Sequence, residues 1–165
     1  MKVLMTSVFA ATLIASGCAA TAARAADSIV GTWRLVSVSE QETETKAIRK
    51  PLGDHPLGLL TYTADGHVAF IMADPSRKPA ATPKATDAEA AALYRTMAAY
   101  SGTYHLDGDA LTNHVAVAWN QAWNGTDLHR IVVIAGNTLT ATTAPFVSPF
   151  YGKEIVSTLV FEREP

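Results

Sequence analysis

Three tight-turn signals, each between two short apolar runs, constrain the fold of this chain more than any other feature of its sequence. The turns are Ala64-Asp65-Gly66, Asp107-Gly108-Asp109 and Gly136-Asn137. Asp-Gly and Gly-Asn pairs readily adopt the positive φ angles of a short hairpin turn, so each signal predicts two adjacent antiparallel strands. A chain organised by such hairpins is expected to fold as an all-β domain.

The runs that flank these turns are rich in β-branched and aromatic residues, which favour strands. The first strand begins at Gly31 and is expected to end at Ser39, before a polar segment over residues 40–50. About eight strands that pair in sequence can close into an antiparallel up-and-down barrel, which leaves no exposed sheet edge. We expect strands at residues 31–39, 57–63, 67–73, 100–106, 110–119, 128–135, 138–143 and 154–161.

One segment has helical rather than strand periodicity. Thr86 and Glu89 have the spacing of a capping box, and an apolar stripe runs from Leu93 to Ala98. We therefore expect one short helix over residues 86–99, between the third and fourth strands. After the Pro-rich loop at residues 74–85, this helix would cover the barrel as a lid or fill it as a rigid plug.

The N-terminal residues have the pattern of an export signal. Lys2 provides a positive charge, the apolar run that follows is too short to span a bilayer, and small residues around Ala25 fit a signal-peptidase site. We therefore expect a signal peptide over residues 1–25 and one barrel domain over residues 26–165. The expected location is periplasmic or secreted.

Cys18 is the only cysteine of the chain and allows a second interpretation. Residues 14–18 resemble a bacterial lipobox, in which the cysteine becomes a lipidated N-terminus, so a membrane-anchored lipoprotein is the alternative. In either case the folded domain contains no cysteine. This excludes disulfides, a cysteine nucleophile and a cysteine-based zinc site.

The composition narrows the range of partners. The formal net charge is -2, and the sequence has no Gly-rich phosphate-binding motif, so we expect no nucleic-acid partner. No segment after the leader reaches the roughly 20 apolar residues of a membrane-spanning helix. We expect a monomer that needs no cofactor.

The histidines do not form a recognisable metal site. His105 and His114 would share one face of a predicted hairpin, but several rungs separate them. His55, His67 and His129 provide no third ligand at a suitable spacing. We therefore expect no metal.

The two ends of the predicted barrel carry a pattern that resembles the lipocalins. Gly31-x-Trp33 opens the first strand and Arg163 follows the last, as in lipocalins, where a Trp at the barrel base is covered by an Arg from the chain end. A guanidinium over an indole stabilises a fold by roughly 0.5 to 2 kcal/mol. Further segments are similar to the bacterial and fungal lipocalin-like domain family, and lie at residues 31–36, 60–66, 100–104, 113–115, 123–126, 139–140 and 161–163.

This resemblance implies a calycin-type small β-barrel. It constrains function less, because lipocalin-like barrels include carriers and a few enzymes that act on apolar compounds.

The hairpin around Asp107-Gly108 determines which side chains share a face. Burial favours the face with the larger apolar groups inside, so His105 and His114 are expected to point outward. A ligand cavity that tolerates polar groups would allow the opposite assignment, with His105 and His114 inside. The expected inner set is Tyr100, Tyr104, Leu111, Val115, Val117 and Trp119, and the expected outer set is Ser101, Thr103, His105, Thr112, His114, Ala116 and Ala118.

The segment from His114 to Arg130 concentrates polar and aromatic residues at the predicted mouth of the barrel. Apolar walls with a few polar groups are typical of a small-molecule pocket. We therefore expect a small apolar or amphipathic ligand inside the barrel, and a binding protein rather than an enzyme. The expected ligand contacts are Tyr62, Tyr104, His114, Trp119, Trp123 and Arg130.

Two alternatives stay open at this point. His114, with Asp127 or Arg130 beside it, could transfer a proton in an isomerase or cyclase that acts on an apolar substrate. The same aromatic residues also fit a filled structural barrel without a ligand. Hydrolase chemistry is unsupported, because no serine lies in a nucleophile-elbow context.

The leader interpretation predicts the N-terminus of the mature protein. Mass spectrometry of protein recovered from the exported fraction of its host should give a chain that begins at Ala26. A lipidated chain that begins at Cys18 would contradict this cleavage site and support the lipoprotein alternative. A chain that retains Met1 would argue against export.

Overall fold

Eight long strands form a closed antiparallel β-barrel in the computed structural model, which describes residues 28–148 and 152–165. Consecutive barrel strands are neighbours, and the last pairs with the first. This confirms the predicted up-and-down fold class. The predicted leader and Cys18 lie outside the described residues. In chain order the strands are β1 (Gly31–Glu42), β2 (Ile48–Arg49), β3 (Leu57–Tyr62), β4 (His67–Ala73), β5 (Met97–Asp107), β6 (Ala110–Ala118), β7 (Asp127–Ala135), β8 (Thr138–Thr143), β9 (Phe146–Val147) and β10 (Glu154–Arg163).

One α-helix, α1 (Asp87–Arg95), interrupts the series of strands. It begins with the predicted capping box, in which the Glu89 N–H donates to Thr86 Oγ1 at 3.3 Å and the Thr86 N–H donates to Glu89 Oε2 at 2.8 Å. It lies between β4 and β5 rather than between the third and fourth strands, because the two-residue β2 was not predicted. Within the described part of the chain, no helical segment has the length and apolarity needed to span a membrane.

The helix ends at Arg95, earlier than its apolar periodicity predicts. Met97 and Ala98 instead open β5, where they pair with Ala73 and Met72 of β4. Ala98 is fully buried there, whereas α1 has no buried residue. Sheet pairing therefore overrides the helical pattern, and α1 does not fill the barrel interior.

β1 is longer than predicted and includes the start of the polar segment. It pairs with β10 as far as Glu42, opposite Ile155. Glu40 and Glu42 continue the alternation of buried residues after Val38, and each is only 3% exposed. Period-two alternation therefore places two carboxylates inside the end of the barrel.

Cations and a hydroxyl surround the Glu42 carboxylate. Arg49 Nη2 lies 2.5 Å from Oε1 and Lys153 Nζ lies 3.3 Å from Oε2, while the Thr45 hydroxyl donates to Oε2 at 2.7 Å. The Thr45 hydrogen bond, with those from Lys153 and Arg49, holds the pKa of Glu42 below its ordinary value against the opposing effect of burial. These partners explain why an acidic residue can continue the strand.

A bulge in β6 changes which side chains face inward. Gly102 of β5 pairs with Val115 and the preceding Ser101 pairs with Val117, so Ala116 is an extra residue. Val117 was predicted inside, but the bulge turns it outward, and it is 59% exposed. A strict period of two therefore fails beyond Val115.

Close backbone approach makes glycine necessary at this bulge. A Cβ at Gly102 would lie 1.9 Å from the His114 carbonyl oxygen and 2.9 Å from the Ala116 nitrogen. On the turn side of the bulge the predicted faces are correct, since Leu111 is buried and His105 is exposed.

Arg163 covers Trp33 at the base of the barrel. The indole is fully buried, and its Nε1–H donates to the Ile29 carbonyl at 2.8 Å. Arg163 Cζ lies 4.0 Å from the centroid of the ring, and Nη1 donates to the Val30 carbonyl at 2.9 Å. Gly31 has a φ of +137°, and a Cβ there would lie 2.8 Å from Arg163 Nη1. The contact joins the two ends of the domain.

Apolar side chains fill the barrel near this base. The three predicted hairpin turns all lie at this end. Because the sheet is closed, alternate residues of every strand point into one interior. The opposite end, the mouth, carries the longer loops and α1. The largest side chains buried near the base, besides Trp33, include Leu35, Val68, Leu111, Leu139 and Phe161.

Removal of the Arg163 guanidinium should destabilise the barrel. We expect Arg163→Met to lower the free energy of unfolding by about 1 to 2 kcal/mol, because it removes the cation–π contact and the donor to the Val30 carbonyl. Denaturant titration measures this change. Unaltered stability would show that the contact does not support the fold.

Arg34→Met is the matched control for that experiment. Arg34 lies at the same end of the barrel, but it is half exposed and paired with Glu162 and Glu164 on the outer surface. Its replacement should cost at most about 0.5 kcal/mol, as is usual for exposed ion pairs.

Glu42 should make stability depend on pH in the acidic range. Its pKa is lowered in the folded state, so its stabilising contribution is complete above the unfolded-state value of 4.5 and is lost as the pH falls through the lower folded-state value. Glu42→Gln should therefore unfold at a lower denaturant concentration than the wild type near neutral pH, and the difference should shrink in strong acid.

Glu44→Gln is the control, because Glu44 is exposed in the loop that follows β1. This variant should match the wild type at both pH values. If the deficit of Glu42→Gln is the same at both pH values, the ionised carboxylate is not its cause.

Candidate functional site

The barrel mouth holds a cleft of about 230 Å³. Its walls come from a 3₁₀ turn (Gln121–Trp123) before β7, from the first residues of β7, and from the chain between β8 and β9. Trp123 and Phe146 give the cleft two aromatic walls. The cleft is also lined by Asp127, Leu128, His129, Arg130, Thr143, Ala144 and Pro145.

Two smaller cavities share lining residues with this cleft and extend inward. The first, of about 40 Å³, shares Trp123, Arg130 and Phe146 with the cleft and adds Phe70. The second, of about 10 Å³, shares Arg130 and Phe70 with the first and reaches Tyr62. Arg130 lines all three. The barrel is therefore filled at its base and partly open toward its mouth.

Arg130 places a guanidinium between these cavities. It lies in β7 opposite Leu111 and Thr143, on the face that points into the barrel. Its Nη1 is buried and has no acceptor among the described residues. No described residue forms an ion pair with it. The cation therefore faces the cavities without a direct partner.

A polar network lies at the inner end of the cavities. Asn113 is fully buried, and its Nδ2 donates to the Tyr100 hydroxyl at 2.9 Å and to the Tyr62 hydroxyl at 3.4 Å. Burial raises the pKa of Tyr62, while the positive charge of Arg130 acts in the opposite direction. The Tyr62 hydroxyl therefore stays protonated at neutral pH and is available as a donor.

Sequence reasoning missed two of the interior polar residues. Asn113 lies between the polar residues Thr112 and His114, and Glu40 belongs to a segment predicted to end the first strand. Glu40 is 3% exposed and lines the 40 Å³ cavity together with Arg130, although it has an interaction of its own. The available signal was alternation, because both residues occupy inward positions of their strands.

Trp123 is supported by a second indole. Trp119 packs edge-on against Trp123 with ring centroids 4.9 Å apart, and its Nε1 donates to the Tyr94 carbonyl of α1 at 3.1 Å. The Tyr94 and Trp119 rings are 5.6 Å apart. Trp119 thus lies behind the cleft wall and connects it to the helix, while Trp123 lines the cleft.

Tyr104 lies toward the base rather than at the mouth. Its ring packs against Tyr62 at 4.7 Å, and its hydroxyl donates to the Thr63 carbonyl at 3.0 Å. It supports Tyr62 but lines none of the three connected cavities.

His114 lies on the outer surface of the barrel. Its side chain is 57% exposed, and Nδ1 lies 2.8 Å from Asp127 Oδ1. The pairing of β5 with β6 produces this orientation, since Asn113 and Val115 on either side of it are buried. His114 is therefore separated from Arg130 by the barrel wall and does not belong to the cavity.

The described residues contain no cluster of three or more histidine, cysteine or acidic side chains suited to a metal ion. The cavities instead combine aromatic walls with hydroxyls, the Arg130 guanidinium and the carboxylates of Glu40 and Asp127. Apolar walls with a few polar groups are typical of small-molecule sites.

The family assignment agrees with this architecture. A family model described as a lipocalin-like domain matches residues 30–163, which include both Trp33 and Arg163. Among proteins of curated function, none matches the chain significantly. The fold supports ligand binding in general. Since the match covers most of the sequence, the chain belongs to the lipocalin-like domain family.

Proposed function

We propose that this protein binds a small apolar or amphipathic molecule at the mouth of the barrel. The observation that carries the proposal is the cleft of about 230 Å³ between Trp123 and Phe146, which shares Arg130 with the inner cavities. Small-molecule sites usually enclose roughly 300 to 1,000 Å³, so this site suits a ligand of modest size, such as two fused rings or a short acyl chain.

The driving force for such binding is burial of apolar surface. An apolar molecule that leaves water gains roughly 25 cal/mol for each Å² of surface that it buries. Trp123 adds a large aromatic face that Trp119 holds in place. The base of the barrel is already filled, so it need not rearrange when a ligand binds at the mouth.

We also propose that the protein acts outside the cytoplasm. The support is the leader pattern over residues 1–25. In the lipoprotein alternative, Cys18 would tether the same barrel to a membrane.

No observation favours the isomerase or cyclase alternative. It requires His114 beside the bound molecule, and His114 lies on the outer surface with Asp127. We therefore propose binding rather than catalysis.

Trp123 should contribute directly to affinity. We expect the wild type to bind the neutral fluorescent probe N-phenylnaphthylamine, and Trp123→Ala to weaken binding by about tenfold or more, because a large aromatic wall is lost. Titration with detection of probe fluorescence measures both dissociation constants. Thermal unfolding of each variant verifies that the barrel is intact.

His105→Ala is the control, because His105 is exposed on the outer surface and lines none of the three cavities. Its Kd should stay within about twofold of the wild-type value. Absence of probe binding to the wild type would contradict the proposal. Equal Kd values for the wild type and Trp123→Ala would exclude the mouth as the site.

A further inference from the structure

Arg130 occupies an inward position of β7, and the other inward positions of this strand are apolar. The other inward positions of β7 are Leu128, Val132 and Ile134, and all three pack against the hydrophobic core. Arg130 interrupts this stripe with a charged group whose Nη1 is buried and lacks an acceptor. The Arg130 residue is half-buried, but a buried donor without an acceptor is costly, so native structures rarely retain one without a compensating role.

We propose that Arg130 anchors an anionic group of the ligand, which makes the ligand a small apolar monocarboxylate. This inference rests on the proposed function and deepens it. The carboxylate lies inside the mouth against the guanidinium, and the apolar part lies in the cleft. A guanidinium matches a carboxylate with two parallel N–H donors, which gives both affinity and orientation.

The 40 Å³ cavity beside Arg130 has suitable size and donors for this group. A site of that volume holds a few water molecules, or one small polar group in their place. Thr143 also lines it, and its Oγ1 accepts the Ser157 backbone N–H at 2.9 Å. The hydroxyl hydrogen of Thr143 is then available to donate to the carboxylate beside Arg130.

The charge of the site favours a monoanion over a dianion. Among the described residues, Arg130 is the only cation that lines the 40 Å³ cavity, and the buried Glu40 lines it as well. One guanidinium can compensate one carboxylate, whereas a phosphate dianion would leave one negative charge without a compensating cation in this cavity.

The arrangement of the cavities determines the orientation of the ligand. Trp123 and Phe146 form the apolar walls on the outer side of Arg130, and Tyr62 lies on its inner side. An acid bound with its carboxylate outward would place its apolar end against the guanidinium. The inward orientation pairs the two charges and buries the apolar body between aromatic rings.

A matched pair of probes tests this inference. Naphthaleneacetate and naphthaleneacetamide share one ring system and nearly the same shape, but only the acid is charged at neutral pH. We expect the wild type to bind the acid about tenfold more tightly than the amide, since hydrogen bonds to charged groups are the stronger ones. Calorimetric or fluorescence titration measures both dissociation constants.

Substitution of the anchor should remove this preference. Arg130→Gln should weaken binding of the acid by about tenfold or more and change binding of the amide by no more than about twofold. Arg95→Gln is the matched control, because Arg95 is an exposed cation near the mouth at the end of α1. It should retain the preference for the acid.

Thermal unfolding without a ligand separates binding from a structural role. Loss of a half-buried charge whose Nη1 lacks an acceptor should leave the midpoint of Arg130→Gln equal to or above that of the wild type, whereas loss of a supporting core residue would lower it. A lowered midpoint together with equal weakening of both probes would overturn the inference.

The remaining outcomes separate this inference from the proposed function. Equal affinity of the wild type for the acid and the amide would overturn the role of Arg130 and leave ligand binding at the mouth intact. If the wild type binds neither these probes nor N-phenylnaphthylamine, the proposed function fails together with the inference.

Discussion

The pairing of β1 with β10 is the interaction on which the rest of this structure depends. It closes the barrel, and Arg163 reinforces it at the base by covering Trp33 and donating to the Val30 carbonyl. Because the first and last strands are joined at the base, the interior there can be filled with large apolar groups. The opposite end is then free to carry long loops and an incompletely filled interior.

The sequence predicted the features that depend on local chemistry. The three hairpins depend on turn residues with favourable positive φ angles, and the start of α1 depends on the Thr86 and Glu89 capping box. Features decided by distant partners were not predicted. β1 extends to Glu42 partly because Lys153, 111 residues away, supplies a neutralising charge. The helix ends early because Ala98 is buried against β4, which no local pattern indicates.

The candidate site shows the same division. Trp123 and Arg130 were predicted because an aromatic and a charged residue stand out in a segment at the barrel mouth. Asn113 and Glu40 were missed, because they enter the interior through their inward positions in the strands and not through any feature of their neighbours in sequence. The alternation of inward and outward side chains was itself predictable only as far as the bulge at Ala116. Beyond this bulge the inner and outer faces of β6 exchange.

The two ends of the barrel differ in how completely their interiors are packed. Near Trp33 buried apolar residues alternate with outward-facing ones, and the Trp33 Nε1–H and Arg163 Nη1 donate to backbone carbonyls. Near the mouth, Arg130 breaks the apolar stripe of β7 at the point where the three cavities meet. In natural proteins, polar residues interrupt an apolar core mainly where a functional site requires them. Well-packed regions elsewhere compensate for the lost stability. An apolar residue at position 130 would extend the core and close the path from the cleft inward. The guanidinium keeps that path polar, and the closed base gives the fold enough stability to accommodate it.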